Sequence, residues 1–244
     1  MLSVRNLVKE FGARHAVDNV SFEVQKGTVL RFLGPNGAGK STTMRMITGF
    51  LPPTSGTAVI AGHDILENPI EARRNLGYLP ENAPSYGDMT VEEFLAFIAA
   101  MRDFSGAEKA RRVDAAIEKC FLGGVRHQTI ETLSKGYRQR TCFAQSILHD
   151  PPVLILDEPT NGLDPNQKHI VREMIRAMAP EKAIIMSTHV LEEVEAICTR
   201  VLIISAGKVV ADSTPADLRA QGKLEDVFRK LTRTEDAPSR KEVA

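Results

Sequence analysis

The stretch Gly34-Pro-Asn-Gly-Ala-Gly-Lys-Ser-Thr42 decides the fold of this chain. Its spacing, a glycine followed by four residues and then Gly-Lys-Ser, is the phosphate-binding loop pattern. Glycines allow the backbone to curl so that successive N–H groups point into one concavity, and such a nest holds anions. The helix expected after the loop adds its positive dipole end. The residues predicted to bind a nucleotide in this phosphate loop are Gly34, Pro35, Asn36, Gly37, Ala38, Gly39, Lys40, Ser41 and Thr42.

Two side chains of the phosphate loop have separate tasks. Lys40 supplies a compact cation for the β- and γ-phosphates, and Ser41 supplies a hydroxyl ligand for Mg²⁺. The flanking residues fit this role, because residues 29–33 read as a strand and residues 42–48 as a helix that ends at Gly49. A glycine-rich turn that matches by chance is the alternative, and the order of strand, loop and helix disfavours it.

Length and composition restrict the class of protein. A chain of 244 residues is long enough for one α/β domain with a sizeable core, and its zero formal charge gives no nucleic-acid footprint. Three cysteines far apart in sequence predict neither a disulfide framework nor a metal site. The N-terminus lacks the apolar core of a signal peptide, and the longest apolar helical stretch, residues 94–101, is too short to span a bilayer. We therefore expect a cytoplasmic protein whose membrane role, if any, comes through a partner.

The N-terminal part predicts a small antiparallel β subdomain. Residues 2–7 alternate between apolar and polar side chains, as in a half-buried strand, and residues 22–24 read as the hairpin partner. Phe11 lies between them and allows two interpretations. It is either a core aromatic at a strand end or a platform for a purine ring, a stack that contributes about 1–3 kcal/mol in nucleic-acid sites.

A helical pattern interrupts the core from residue 88 to residue 149. Thr90 with Glu93 three residues later forms a predicted capping box, and two further helices are expected over residues 107–121 and 136–148. The sequence therefore predicts one domain over residues 1–231. Its core comprises residues 1–87 and 150–215, its helical insertion residues 88–149, and its C-terminal helices residues 215–231. Residues 232–244 are polar, and we expect them to form a disordered tail.

An apolar run marks the return to the core. Residues 153–156 are typical of a strand buried on both faces in a parallel sheet, and the run ends in Asp157 and Glu158. Because ligands bind outside the carboxyl ends of parallel strands, Asp157 is predicted to hold Mg²⁺ and Glu158 to accept a proton from the attacking water. An acidic loop that only aids solubility is the alternative. His189 follows a later core strand and is predicted to sense the γ-phosphate, although a structural histidine is the alternative.

Several motifs together resemble one family. The phosphate loop, residues 133–139, residues 154–158, residues 162–164 and His189 resemble, in order and spacing, the ATP-binding-cassette (ABC) ATPases, over nearly the whole chain to about residue 231. Residues 133–139, Leu-Ser-Lys-Gly-Tyr-Arg-Gln, correspond to the family's signature stretch. The resemblance implies a P-loop NTPase core that binds and hydrolyses ATP with Mg²⁺.

The resemblance also implies a head-to-tail dimer, expected to be a homodimer. Ser134 and Gly136 of one subunit would cap the γ-phosphate of ATP held by the other, with Lys135 and Tyr137 in the same stretch. Asp164 would lie at the dimer seam. This arrangement is physically sensible because Gly136 opens a helix, and the N-terminus of a helix suits an anion.

The chain departs from the family pattern at four positions. Lys135 replaces a glycine and Tyr137 a glutamine in the signature stretch, and Phe11 replaces the tyrosine near adenine. Glu81 replaces a glutamine; it can still ligate the metal, but it adds a charge and loses an amide donor. Lys135, Tyr137 and the stretch 77–81 resemble an export subfamily whose membrane partner is a type-two permease.

Three functional hypotheses follow. The first is the ATPase subunit of a transporter, working with a permease subunit on the cytoplasmic face of the cell membrane. The second is a soluble ABC-type ATPase acting on ribosomes or DNA; such relatives usually carry two cassettes, long coiled coils or zinc sites. The third is a nucleotide-sensing module without turnover, which Lys40, Asp157, Glu158 and His189 argue against. One cassette with no basic stripe favours transport, without a nucleic-acid partner.

Overall fold

The computed structural model describes residues 1–188 and 197–232, over which strands and helices alternate in the manner of an α/β fold. The strands are β1 (Leu2–Phe11), β2 (Arg14–Val24), β3 (Val29–Leu33), β4 (Ser55–Ile60), β5 (His63–Asp64), β6 (Leu76–Leu79), β7 (Val153–Leu156), β8 (Ala183–Thr188), β9 (Arg200–Ser205) and β10 (Lys208–Ser213). The helices are α1 (Lys40–Ile47), α2 (Pro69–Arg74), α3 (Val91–Met101), α4 (Gly106–Lys119), α5 (Lys135–Ile147), α6 (Pro165–Met178), α7 (Pro215–Ala220) and α8 (Leu224–Thr232).

The described strands form two sheets. The larger sheet has the order β10-β9-β3-β8-β7-β6, in which β9, β3, β8, β7 and β6 run parallel and β10 is antiparallel to β9. The smaller sheet has the order β2-β1-β4-β5 and is antiparallel throughout. The predicted α/β fold, with a mainly parallel core sheet and an N-terminal antiparallel subdomain, is confirmed.

Strand β7 shows why the core strands carry continuous apolar runs. Successive side chains of a strand point to opposite faces of the sheet. Val153 and Ile155 pack in one core with apolar residues of the N-terminal sheet and α1. Leu154 and Leu156 pack in a second core with apolar residues of α3, α4, α5 and α6. Strand β7 is therefore buried on both faces, as its sequence predicts.

Helices α3, α4 and α5 lie between β6 and β7 in the chain, where the helical insertion is predicted. Helix α3 begins with the predicted capping box: the Glu93 N–H donates to Thr90 Oγ1 at 3.2 Å, and the Thr90 N–H donates to the Glu93 carboxylate at 2.9 Å. Phe94 of α3 and Phe143 of α5 are fully buried where these helices pack. None of the described helices combines the length and the apolar character that crossing a membrane requires.

Helices α1 and α5 begin earlier than the sequence predicts, and the residues that precede them explain both starts. Helix α1 begins at Lys40 because Gly39, with φ of +105°, ends the loop in the left-handed region that glycine tolerates. Helix α5 begins at Lys135 because Ser134 Oγ accepts the N–H of Tyr137. Helix α6 begins with a proline in its first turn, after the cap Asp164.

Two C-terminal stretches lie almost entirely outside the described residues. They are residues 191–197, whose sequence pattern predicts a further helix, and residues 232–244, the predicted tail. Helix α8 places Leu224 and Val227 in a small core with Leu33, Val201 and Ile203, so the apolar face predicted near the chain end packs on β3 and β9.

Candidate functional site

The parallel sheet brings the predicted site segments to one edge. Leu79 pairs with Leu156, Leu156 with Met186, and Leu33 with Thr188, so β6, β7, β8 and β3 end side by side. The phosphate loop, Glu81 and the Asp157–Glu158 pair follow these ends. His189 directly follows β8 in the sequence, but it lies outside the described residues.

The phosphate loop depends on glycines because other backbones approach it closely. A Cβ added to Gly34 would lie 2.4 Å from the carbonyl oxygen of Ile204. A Cβ added to Gly39 would lie 2.5 Å from the carbonyl oxygen of Ala16. No side chain fits at such distances, so β9 and β2 hold the loop in shape from two sides.

Lys40 is held over its own loop. Its Nζ donates to the carbonyl oxygens of Gly34 at 2.6 Å and Pro35 at 3.0 Å. Burial lowers the pKa of Lys40, and the carboxylates of Glu158, Asp157 and Glu81 oppose that shift. The ammonium group therefore lies within electrostatic reach of all three predicted acidic site residues, at the mouth of the phosphate loop.

A serine links the two acidic residues that follow β7. The Ser187 hydroxyl donates to Asp157 Oδ1, and Ser187 Oγ accepts the Glu158 N–H at 2.9 Å. The Asp157 N–H donates to the carbonyl oxygen of Leu79 at 2.8 Å, which fixes this corner to β6. Ser187 was not predicted as a site residue; its only signal is a polar side chain at the carboxyl end of a buried strand.

A cleft of about 740 Å³ opens above the phosphate loop. The predicted site residues that line it are Phe11, Asn36, Gly37, Gly39, Lys40, Ser41, Thr42, Glu81 and Glu158. Three further residues line it that sequence reasoning missed: Arg14, Ala16 and Asn161. Gly34, Pro35, Ala38 and Asp157 are not among the lining residues, although each of them lies in the phosphate loop or next to a lining residue in the sequence. We call this space the phosphate cleft.

Phe11 lies at the end of β1 on the wall of the phosphate cleft. Its side chain is 53% exposed, so the interpretation of Phe11 as a core aromatic is wrong. The Lys9 ammonium lies 5.4 Å from the ring centroid. The ring is thus available to a planar ligand, and stacking on adenine stays a prediction.

The available oxygens at the cleft suit Mg²⁺, which prefers hydroxyl, carboxylate and phosphate oxygens. Ser41 and Glu81 line the phosphate cleft, and the buried Asp157 directly precedes Glu158, which also lines it. The Ser187 hydroxyl donates to one oxygen of Asp157, and a carboxylate has a second oxygen that can bind a cation. This donor set fits the predicted metal.

The signature residues lie elsewhere. Ser134, Lys135, Gly136 and Tyr137 form the start of α5, and none of them lines the phosphate cleft of its own chain. Ser134 and Lys135 are exposed, whereas Gly136 is covered by the Gln167 side chain, which a Cβ would meet at 2.5 Å.

The signature end of α5 packs on the loop that carries Glu158. Gln139 Nε2 donates to the carbonyl oxygen of Pro159 at 3.3 Å, and the Lys135 ammonium lies against Gly162. Asp164 caps α6 by accepting the N–H groups of Asn166 at 2.9 Å and Gln167 at 3.0 Å. Asp164 thus has a structural task in its own chain, and its place at a dimer seam stays a prediction.

Comparisons with known proteins agree with this geometry. The family model described as ABC transporter matches residues 17–161. The chain is 37% identical over 222 residues to a probable multidrug ABC transporter ATP-binding protein of Escherichia coli, covering 91% of this chain and 38% of that protein. It is 36% identical over 219 residues to a Nod factor export ATP-binding protein of Cupriavidus metallidurans, covering 89% of this chain and 72% of that protein.

A solved structure described as an ATP binding subunit of an ABC transporter superposes with a TM-score of 0.85 at 33% identity, covering 96% of this chain and all of that one. The chain spans only about 38% of the length of the Escherichia coli relative. The match of the family model nevertheless covers more than half of the chain, which is enough to assign the chain to this family. The chain belongs to the ABC transporter family and carries the ATP-binding domain of that family.

Proposed function

We propose that this ATP-binding chain is the subunit of an ABC transporter that hydrolyses MgATP to drive export through a separate permease. The observation that carries the proposal is the phosphate cleft, in which one wall combines the phosphate loop and Lys40 with the carboxylates of Glu81 and Glu158. Phosphoryl transfer needs positioning and charge neutralisation more than covalent chemistry, and this wall supplies both.

Each residue of the site has a role in this proposal. The N–H groups of the phosphate loop and the Lys40 ammonium hold the β- and γ-phosphates, and Lys40 exchanges its two carbonyl partners for phosphate oxygens. Ser41, Asp157 and Glu81 hold Mg²⁺, which neutralises phosphate charge when it is bound. Glu158 accepts a proton from the attacking water, with its backbone oriented by Ser187. His189 acts as the γ-phosphate sensor.

A head-to-tail homodimer completes the site in this proposal. The signature residues do not line the phosphate cleft of their own chain, yet Ser134 exposes a hydroxyl at the start of α5. A helix N-terminus binds anions through its free N–H groups and its dipole. Ser134, Lys135, Gly136 and Tyr137 of one chain would therefore face ATP held by the other, with Asp164 at the seam.

An exposed groove supports a permease partner. We define it by two adjoining hollows of about 370 and 720 Å³ that share Arg73, Met101 and Arg102. Phe50 and Met101 expose 77% and 69% of their surface along it, and Ile70 exposes 60%. Exposed apolar side chains grouped in this way mark interaction sites. We propose that a cytoplasmic segment of the permease occupies this groove, which places the chain peripherally on the cytoplasmic face of the membrane.

The alternative is a soluble ABC-type ATPase that is not coupled to transport. It shares the phosphate cleft, so the cleft does not separate the two functions. The apolar side chains exposed along the groove support transport, because they suit an apolar segment of a permease better than a charged nucleic-acid surface.

Glu158→Gln tests the proposed hydrolysis. The variant keeps the shape of the side chain but removes the proton acceptor, and general-base action contributes about 10²–10⁴-fold. We expect ATP affinity close to that of the unmodified chain and turnover reduced by about that factor. Titration calorimetry and phosphate release measure the two quantities.

Lys40→Ala serves as the matched control, because it removes the phosphate cation and should weaken ATP binding itself. A Glu158→Gln chain with unchanged turnover would contradict the role of Glu158 as base. A Lys40→Ala chain with unchanged ATP affinity would contradict the proposed nucleotide site.

A further inference from the structure

Arg14 lines the phosphate cleft, but it does not belong to the phosphate-loop pattern of residues 34–42. It begins β2 and pairs across the hairpin with Phe11, the last residue of β1. Side chains directly opposite each other in an antiparallel pair point to the same face of the sheet. The Arg14 guanidinium and the Phe11 ring therefore share one face of the hairpin, and both line the cleft.

The Arg14 side chain reaches toward the phosphate loop. Its Nη2 lies 3.9 Å from the position that a Cβ on Gly37 would occupy. The nearest acidic residue on its hairpin, Glu10, instead lies 3.6 Å from the His15 imidazole. No carboxylate in residues 1–188 or 197–232 forms an ion pair with Arg14. Its guanidinium is thus an exposed cation aimed across the cleft.

Lys9, the neighbouring cation, is held by other parts of its own chain. It lies over the Phe11 ring, and its Nζ donates to the carbonyl oxygen of Pro52 at 2.7 Å. That hydrogen bond holds the Lys9 ammonium against the loop that precedes β4. Lys9 is not among the residues that line the cleft. Lys9 is therefore a cation of the same hairpin that does not line the cleft.

We propose that Arg14 is a nucleotide-binding residue that contacts a phosphate oxygen of ATP from the hairpin formed by β1 and β2. The guanidinium lies between Phe11, where the base is expected to stack, and Gly37 of the phosphate loop, so the phosphate chain nearest the ribose passes it. A planar fork of N–H donors matches phosphate oxygens better than a point charge does. The proposal rests on the ATP site of the proposed function and adds a contact to it.

The experiment compares Arg14→Ala and Arg14→Lys with the matched control Lys9→Ala. A fluorescent ATP analogue is displaced first by ATP and then by inorganic tripolyphosphate, which has the phosphates but no base or ribose. Loss of a charge-assisted hydrogen bond in Arg14→Ala should weaken both competitors by about 10- to 150-fold. Arg14→Lys should recover part of the loss, and Lys9→Ala should bind tripolyphosphate, which has no base to stack on Phe11, as the unmodified chain does. Thermal melting of each variant shows whether it is folded.

Two results would overturn the proposal. The first is an Arg14→Ala chain with unchanged affinity for both competitors. The second is a loss confined to ATP, with tripolyphosphate unaffected, because it would place the guanidinium on the base or ribose. Lys40→Ala keeps this inference separate from the proposed function: if Lys40→Ala loses ATP while Arg14→Ala does not, the nucleotide site stands and only the role of Arg14 is wrong.

Discussion

Glu158 occupies the left-handed region of backbone conformation, with φ of +52°. A residue other than glycine pays about 1–2 kcal/mol for this conformation, and such strain concentrates at functional sites. The hydrogen bond from the Glu158 N–H to Ser187 helps to hold it, and the same serine fixes Asp157. The left-handed turn separates two consecutive carboxylates, so that Asp157 is buried while Glu158 lines the cleft.

The exposed ring of Phe11 allows a direct test of adenine stacking. Base stacking contributes about 1–3 kcal/mol, so Phe11→Ala should lower ATP affinity by about 5- to 150-fold. Because the ring is exposed on the wall of the cleft, the melting temperature of the variant should be nearly unchanged. Titration calorimetry measures the affinity. Phe121→Ala removes a ring that is 58% exposed outside the cleft and serves as the control. Equal ATP affinity in the two variants would count against stacking.

Among the elements, α5 connects the helical insertion to the sheet at both of its ends. Its N-terminal part packs on the loop that carries Glu158, as the contact of Gln139 with Pro159 shows. Just beyond its last turn, His149 Nε2 donates to the carbonyl oxygen of Leu76 at 3.0 Å, at the start of β6. Gly77 lies beside the Ser146 carbonyl oxygen, which a Cβ would meet at 2.2 Å, so helix and strand touch here.

His149 makes the stability of this junction pH-dependent. Burial, followed by the Arg102 charge, lowers the pKa of His149 to about 3, with Lys182 and Arg112 acting in the same direction. Between pH 6.5 and 3 the unfolded chain binds a proton that the folded chain does not, so stability falls as the pH falls through that window. The expected loss from His149 between pH 7 and pH 5 is about 1–2 kcal/mol.

His149→Gln retains an N–H donor for Leu76 but does not titrate. Urea unfolding at pH 7 and pH 5 should therefore show a smaller acid loss for His149→Gln than for the unmodified chain. His169→Gln, which replaces an exposed histidine of α6, serves as the matched control. An identical acid loss in all three proteins would show that His149 does not titrate as its surroundings dictate.

The two proposed partners, a permease and a second copy of this chain, use separate surfaces of the molecule. The groove proposed for the permease is lined by residues of α2, β6, α3 and α5 and of the segments that follow the helices, among them Phe50 beyond the end of α1. The proposed dimer surface combines the phosphate cleft with the start of α5. Because α5 reaches both surfaces, a movement of the helical insertion would be felt at each of them.

Phe50→Asp tests the groove. A charge at a side chain that is 77% exposed should leave folding and ATP affinity nearly unchanged but abolish docking on an apolar partner surface. Purified chain is sedimented with membranes from its source cells after a urea wash has removed peripheral proteins. Phe121→Asp introduces the same charge outside the groove and should sediment as the unmodified chain does. Equal sedimentation of both variants would exclude the groove as the docking site.

Mixed dimers test the shared ATP site. Pairing one Glu158→Gln chain with one Ser134→Arg chain places both changes in a single composite site and leaves the other intact. Pairing an unmodified chain with a chain that carries both substitutions damages both sites instead. Dimers isolated with two affinity tags, together with the permease where association requires it, should hydrolyse ATP in the first pairing and hardly at all in the second. Equal turnover in the two pairings would contradict the head-to-tail arrangement.

The sequence alone determined the family, the α/β fold and the position of the phosphate loop. These follow from local spacing, such as the glycines from Gly34 to Gly39 and the apolar run of β7, because backbone curling and two-sided burial act within a few residues. The division into a core, a helical insertion and a tail stays a prediction, as do the individual roles in catalysis.

Only the tertiary structure decided which distant residues meet. Arg14 and Ala16 reach the cleft because the register of β1 and β2 turns their strand end toward the loop, and Ser187 reaches Asp157 because β8 lies beside β7. The same packing left Phe11 exposed and so removed the core interpretation that its sequence allowed. Apart from the polar residue that Ser187 places at the end of a buried strand, these meetings have no local signal, because strand register and side-chain exposure are set by contacts between segments far apart in the chain.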